Sequence, residues 1–369
     1  MNKKEKAILV GVELSSAREN SWPIEESLQE MERLAATAGA EVVAKIVQSR
    51  QKPDLKYYVG SGKVEEIHQQ VHQTDADVIF IDAPITPSQQ RNLEDALGVK
   101  IVDRTGLILD IFAQHAHTHE GILQVELAQM EYLLPRLTGK GRLLSRLGGG
   151  IGTRGPGETK LEMDRRRIRS RISLLKDEIE KIRKSRSVRR EKRRKANIPV
   201  CSLVGYTNAG KSTLLNALTD ARVGVEDKLF ATLDPVLRRK RLLNGREILL
   251  ADTVGFIQKL PHQLVSAFRA TLEEVSEADL LLHVVDASHP RFREQIEAVY
   301  RVLEEISAIK KPIITIFNKA DKIEIPERWL QEFLPSVAVS ALKGVGLKEL
   351  LGIVEADPLF SNPSHGFCD

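Results

Sequence analysis

Gly205-Tyr206-Thr207-Asn208-Ala209-Gly210-Lys211-Ser212 follows a short apolar run, 200–204, and leads into Thr213-Leu214-Leu215-Asn216-Ala217-Leu218. The run reads as a buried strand and the segment after the loop as the start of a helix. Glycines at this spacing let successive backbone N–H groups turn inward, and the helix N-terminus adds partial positive charge, so the loop is built to cradle phosphates. Lys211 is placed to reach β- and γ-phosphate oxygens, and Ser212 to hold Mg²⁺. A strand, such a loop and a helix in this order are the phosphate-binding unit of a parallel α/β sheet. A glycine-bearing turn could match by chance, but two further elements follow in order: Asp252-Thr253-Val254-Gly255 and Asn318-Lys319-Ala320-Asp321. Together they imply binding and hydrolysis of a nucleoside triphosphate.

The base is read at 318–321, which follows the strand-like run 312–317 and therefore lies where open α/β sheets bind ligands. The Asp321 carboxylate can accept the ring N–H and the exocyclic amine of guanine together, whereas adenine leaves such a site unpaired. The pattern therefore points to GTP and GDP rather than adenine nucleotides. Ser340, Ala341 and Leu342, after the strand-like 337–339, fit a loop whose backbone meets the base from its other side. Asp252 closes the apolar run 248–251 and can approach Mg²⁺, and the Gly255 N–H can contact the γ-phosphate. Between the phosphate loop and this element, Phe230-Ala231-Thr232 offers Thr232 as the switch threonine, joining Ser212 and Asp252 in the expected metal set; Thr207 and Thr213, both within the phosphate loop, are the alternative hydroxyls. Lys211, Thr232 and Gly255 are the expected catalytic residues.

Position 256 departs from the pattern. GTPases that orient the attacking water with glutamine carry it directly after the glycine of DxxG, and here Phe256 stands there. Slow intrinsic hydrolysis follows, with Phe256→Ala expected to leave it little changed. Asn208 admits two readings: a carbonyl helping to hold K⁺ beside the phosphates, or an amide that stabilises the loop.

The 369-residue chain is 42% hydrophobic and 29% charged, with mean hydropathy −0.22. No apolar run approaches the ~18 residues of a membrane span. Glu13 and the lack of a small-residue cleavage site make 7–14 a first strand rather than a signal peptide. Cys201 and Cys368 form no disulfide framework or metal site, which suits a reducing cytoplasm. Residues 7–14, 41–47, 78–82 and 99–102 read as strands, and 25–38, 63–73 and 87–97 as the helices between them. Gly60-Ser61-Gly62-Lys63 imitates a phosphate loop, but Tyr57 and Val64 occupy the wrong places; it reads as a turn and a helix start.

Beyond residue 104 the rhythm turns helical. Leu123, Leu127, Met130, Leu134 and Leu137 step by four and three, as do Ile168, Ile172, Leu175, Ile179 and Ile182, which suits an antiparallel helical hairpin. Between them runs the glycine-rich 148–157, flanked by Arg142, Arg146, Arg154 and Lys160 and longer than a simple connection requires. From Lys160 to Lys195 there are 17 Lys or Arg against 6 Asp or Glu, while the whole chain carries only +4. Such a basic rod fits a phosphate backbone, with salt-sensitive affinity. His115, His117 and His119 suggest a metal, since 115 and 119 are expected to share a helix face, but no thiolate or fourth ligand stands near, so no zinc site is expected.

Several stretches resemble the HflX GTPases: 57–63, 105–112, 124–129 and most specifically Gly155-Pro156-Gly157-Glu158-Thr159-Lys160-Leu161-Glu162. The order of a basic hairpin before the GTPase domain is similar too, and the resemblance spans nearly the whole chain. It implies a GTPase of the cytoplasm, partly ribosome-associated, that binds the large ribosomal subunit and its RNA. It further implies a hairpin loop near the peptidyl-transferase centre and the separation of stalled or idle ribosomes. The expected architecture is α/β: a small parallel-sheet domain at 1–104, a hairpin at 105–196, a P-loop GTPase domain at 197–358 and a tail at 359–369, in a monomer without a membrane span. An RNA-remodelling GTPase and a protein-interaction switch are the rival readings.

Overall fold

The computed structural model describes residues 4–15, 22–137, 156–195, 198–219, 229–230, 232–258 and 269–360. Among them, the stretches up to 114 and 122–179 form one compact unit, and 115–121 and 180 onward another.

The first unit carries four strands, β1 (Lys6–Leu14), β2 (Glu41–Arg50), β3 (Val78–Ile81) and β4 (Lys100–Asp103), in the order β2-β1-β3-β4. All three pairings are parallel, as the alternation of strand and helix signals leads one to expect. The crossovers are α1 (Ile24–Thr37), α2 (Ser61–Thr74) and α3 (Pro87–Leu97). Ile8, Val10, Ile79, Ile81 and Ile101 meet Ile67, Val71 and Leu93 in one core cluster. α3 begins with a capping box: the Thr86 hydroxyl accepts from Gln89 N, and Gln89 accepts from Thr86 N. The Gly60 loop starts α2, and the Gly60 N–H donates to Gln48 Oε1 at 2.9 Å. That segment is a helix start, as expected.

Three more helices follow, α4 (Arg104–His115), α5 (His119–Leu133) and α6 (Pro156–Lys195), with a single 3-10 turn at Leu134–Leu137. Two expectations are corrected here. The four-three stepping through Leu134 and Leu137 does not continue as α-helix, because Pro135 lacks an N–H and disfavours helical backbone before it. His115 ends one helix and His119 begins the next, so they do not share a face. On α6 the apolar stripe is the least exposed side: Ile168, Ile172, Ile179 and Ile182 are half-buried and Leu175 fully buried. Arg171 grips Glu126 with two bonds of 2.7 Å and Lys176 meets Glu131 at 2.8 Å. Such exposed pairs orient α5 and α6 more than they stabilise them. The glycine-rich segment 148–155, with Arg142, Arg146 and Arg154, lies outside the described residues. No described helix is long and apolar enough to cross a membrane.

The second unit is built on β5 (Val200–Gly205), β6 (Val236–Arg241), β7 (Glu247–Asp252), β8 (Leu280–Asp286), β9 (Ile313–Asn318) and β10 (Ser336–Ala338). Their order is β10-β9-β8-β5-β7-β6, parallel except for the edge pair β6 and β7. Among the described residues its helices are α7 (Lys211–Thr219), α8 (Arg269–Ser276), α9 (Phe292–Glu305), α10 (Glu327–Glu332) and α11 (Leu347–Ala356). β5, β7, β8 and β9 are buried almost end to end, as parallel strands covered on both faces must be. Gly205, Asp252, Asp286 and Asn318 therefore arrive together at the carboxyl edge of the sheet.

Candidate nucleotide and metal site

The loop from Gly205 to Ser212 leaves β5 and enters α7 at Lys211. Gly205 (φ 155°), Asn208 (φ 60°) and Gly210 (φ 95°) take left-handed backbone, which turns the loop back on itself. A side chain on Gly205 would stand 2.2 Å from the Val284 carbonyl, so only glycine fits against β8. Lys211 is buried, and its ammonium donates to the carbonyls of Gly205 (3.2 Å) and Tyr206 (2.9 Å). Burial pulls it down to about 8, against the opposing pull of Asp252. A buried cation resting on two carbonyls, with no carboxylate in a salt bridge with it among the described residues, is poised for an anionic ligand.

Beside it, three oxygens converge. Ser212 Oγ lies 2.6 Å from Asp252 Oδ2 and 2.9 Å from Thr232 Oγ1, and Thr232 Oγ1 lies 3.2 Å from the same carboxylate oxygen. Asp252 is fully buried, and burial pushes its carboxyl up against the pull of Lys211. Among the described residues its other oxygen, Oδ1, is buried without a hydrogen-bond partner, as is Thr207 Oγ1. Unmet buried acceptors are costly, and two hydroxyls with a carboxylate make a hard-oxygen set that suits Mg²⁺. These are the three residues the sequence grouped, brought together from 40 positions apart.

Gly255 closes the site. A side chain there would stand 2.7 Å from Thr207 Cα and 3.0 Å from Lys211 Nζ, so its backbone lies against the end of the lysine. Thr253 and Val254 are buried, and the Thr253 hydroxyl donates to Leu203 O at 2.6 Å. The pair therefore supports the segment through packing and leaves backbone to meet a ligand. Phe256 continues this bracing: its N–H donates to Gly205 O (3.0 Å) and its carbonyl accepts from Thr207 N (2.8 Å). Its ring is 2% exposed. Removing this buried aromatic ring should cost about 3–5 kcal/mol of stability, so the expectation that Phe256→Ala leaves the intrinsic rate little changed applies to the folded variant. Thr213 continues α7, Phe230 is buried, and Ala231 lies outside the described residues.

On the base side, Asn318 acts first as a brace. Its amide donates to Ala209 O (2.9 Å) and accepts from Ala341 N (3.0 Å), joining the phosphate loop to the 340–342 loop. Gly210 permits this, since a Cβ there would lie 2.3 Å from Asn318 Nδ2. Asp321 is exposed, and the Ser340 hydroxyl donates to its Oδ1 at 2.5 Å and holds the carboxyl below its usual range. Lys319, also left-handed (φ 65°), bonds Asp286 Oδ2 at 2.7 Å. Ala341 is buried and Leu342 is largely exposed.

Asp286 was missing from the sequence-derived set. Its signal was present: it closes the apolar strand β8 as Asp252 closes β7.

Comparison with known proteins follows the same order along the chain. Three family profiles match: "GTP-binding GTPase N-terminal" at 25–113, "GTP-binding GTPase Middle Region" at 115–193 and "50S ribosome-binding GTPase" at 200–319. A protein named GTPase HflX from Caldanaerobacter subterraneus is 53% identical, over 96% of this chain and 81% of its own. Another of that name from Escherichia coli is 50% identical, over 94% and 81%. Among solved structures, a GDP complex of a protein called SsGBP aligns with a TM-score of 0.51 and 27% identity, covering 95% of this chain and 97% of its own.

Proposed function

The chain belongs to the HflX family of GTPases, and on that premise we propose that it binds the large ribosomal subunit and separates stalled or idle ribosomes. In this reading Lys211 leaves the Gly205 and Tyr206 carbonyls for the β- and γ-phosphate oxygens. Ser212, Thr232 and Asp252 hold Mg²⁺, which supplies charge neutralisation when bound. The Gly255 N–H senses the γ-phosphate. Asp321 reads guanine, with its carboxylate steadied by Ser340 and its loop by the Asn318 brace. Loss of the γ-phosphate releases Thr232, which converts hydrolysis into a change at the protein surface. Phe256 is locked in the core and cannot orient water, so full activity comes from the ribosome-bound state, with K⁺ beside Asn208 as a further source of positive charge.

The observation that carries the ribosomal part is the 40-residue helix α6, joined directly to the GTPase sheet and bearing the surplus of Lys and Arg. In this reading residues 105–196 act as a basic hairpin whose tip, 148–157, enters ribosomal RNA, and the protein works as a monomer in the cytoplasm.

Sedimentation with ribosomal subunits, with and without a non-hydrolysable GTP analogue, tests it. We expect analogue-dependent association with the large subunit and loss of the assembled-ribosome peak in a sucrose gradient. A chain shortened at 148–157 should keep GTP binding and lose both ribosome-stimulated hydrolysis and separation. If the shortened chain separates ribosomes at the parental rate, the hairpin does not have this role. Equal hydrolysis in potassium and sodium salts would remove the K⁺ reading of Asn208.

A further inference from the structure

Thr232 meets Ser212 and Asp252, but nothing so far explains what holds it there. Two residues further on, Asp234 makes three bonds to a turn that precedes it by more than a hundred positions. Its Oδ2 accepts from His117 N (2.9 Å) and Thr118 N (2.8 Å), and its Oδ1 accepts from the Thr118 hydroxyl at 2.5 Å. That hydroxyl in turn accepts from Gly121 N at 3.0 Å, so it caps the first turn of α5 while donating to Asp234.

Two further observations make this a built contact. A Cβ on Gly121 would stand 2.2 Å from Asp234 Oδ1, so the carboxylate fits only because residue 121 is glycine. The same turn is anchored from its other side: Arg186 of α6 binds Glu120 at 3.0 Å and Glu273 of α8 at 2.8 Å. All these residues belong to the GTPase-bearing unit.

The geometry couples the two ends of a very short segment. Three residues, Thr232-Leu233-Asp234, span at most about 7 Å between their outer Cα atoms even when extended. Leu233 between them is buried. Thr232 therefore cannot move several ångströms from Ser212 and Asp252 without drawing on Asp234, and the reverse holds equally.

Resting on the GTPase reading of the site, we propose that Asp234 is a positioning residue for hydrolysis: its bonds to His117, Thr118 and the cap of α5 hold Thr232 in place. The closed position of Thr232 and the carboxylate-capped start of α5 are then one state. The coupling is reciprocal. A γ-phosphate that favours Thr232 in place strengthens the Asp234 contact, and whatever displaces the 117–121 turn lowers the population able to hydrolyse GTP.

The test uses the full chain and three variants: Asp234→Ala, Thr118→Val and Gly121→Ala, the last two lying outside the nucleotide site. Steady-state hydrolysis and the affinities for GDP and a non-hydrolysable GTP analogue are measured for each, beside Lys211→Ala. Each of the three should lower kcat and the analogue affinity by about tenfold, within the range of ordinary coupling. GDP affinity should stay within about twofold, because GDP makes no demand on Thr232. Combining Asp234→Ala with Gly121→Ala should cost no more than either alone, since both break one contact. Parental kcat and analogue-to-GDP ratio in folded Asp234→Ala and Gly121→Ala would overturn the proposal, as would equal loss of both affinities. A parent chain no faster than Lys211→Ala would instead overturn the GTPase reading itself.

Discussion

Two sheets in this chain end strands in aspartate, and one of those carboxylates, Asp252, is treated differently from the other three. In the first unit Asp82 follows β3 and Asp103 ends β4; in the second, Asp252 ends β7 and Asp286 ends β8. Asp82 is buried against Arg104, whose guanidinium donates to it at 2.6 Å and also binds Glu30, while Ser27 donates to its other oxygen. Asp103 accepts from Gly106 N (2.8 Å), Tyr132 Oη (2.7 Å), Arg136 Nη2 (3.1 Å) and Ile85 N (3.2 Å). Both carboxylates find their partners within the chain. In the second unit Asp286 is likewise paired, with Lys319 at 2.7 Å, whereas among the described residues Asp252 keeps an unpartnered buried oxygen and Lys211 nearby rests on backbone carbonyls. A strand-end carboxylate is thus structural where the fold supplies its cations, and available to a ligand where the fold withholds them.

The comparison breaks most sharply under Arg104→Met. It leaves Glu30 and Asp82 buried without their cation and should cost about 3–5 kcal/mol in denaturant unfolding. Where that variant stays folded, its nucleotide affinity should match the parent; weaker GTP binding at unchanged stability would mean that the first sheet is not structural in this sense.

At the second sheet the expected pattern is reversed. Lys211→Ala and Asp252→Asn should each lower GTP hydrolysis by at least about a hundredfold. Asp252→Asn should leave stability within about 1 kcal/mol of the parent or raise it, because a strained functional group is being relieved. If Asp252→Asn instead unfolds the protein as Arg104→Met does, the distinction between the two edges fails.

A smaller effect is expected at the rim. Asp321→Asn exchanges an acceptor of two guanine donors for an amide and should weaken GTP binding at least tenfold, about 1.4 kcal/mol, by titration calorimetry. Unchanged affinity would remove Asp321 from the base site.

The gentlest probe is pH. Burial lowers Lys211 from its usual 10.5 to about 8. Unfolded chains therefore bind the proton more tightly, so burying the lysine costs stability below about pH 8. That cost is relieved as pH rises through the window up to 10.5. Phosphates favour the charged form, so nucleotide binding above pH 8 must take up a proton. GDP affinity should fall several-fold between about pH 7.5 and 9, approaching tenfold per unit at the limit, and Lys211→Arg should abolish the slope. A flat profile in the parent would place the ammonium in water or on a carboxylate.

Much of this was legible from local signals. Strand, loop and helix alternation is encoded over ten or fifteen residues at a time, so the parallel sheet of the first unit and the phosphate loop at Gly205–Ser212 could be read before any coordinates. The convergence of Ser212, Thr232 and Asp252 was legible as well, since Asp252 closes an apolar run and Thr232 stands between two recognisable elements. Packing decided the rest. Nothing local separates Asp103 from Asp252, because the difference lies in Tyr132 and Arg136, which the fold brings to one and not the other. Asn318 was read as part of the base site, and the structure also makes it a brace that reaches Ala209, 109 positions away. Phe256 looked like a missing catalytic group and is a core residue. Asp234 reaches a turn 116 positions away, and pairings of that separation leave no periodic trace in a sequence. They are chosen by which strand ends and helix starts become neighbours, and only the tertiary structure sets that.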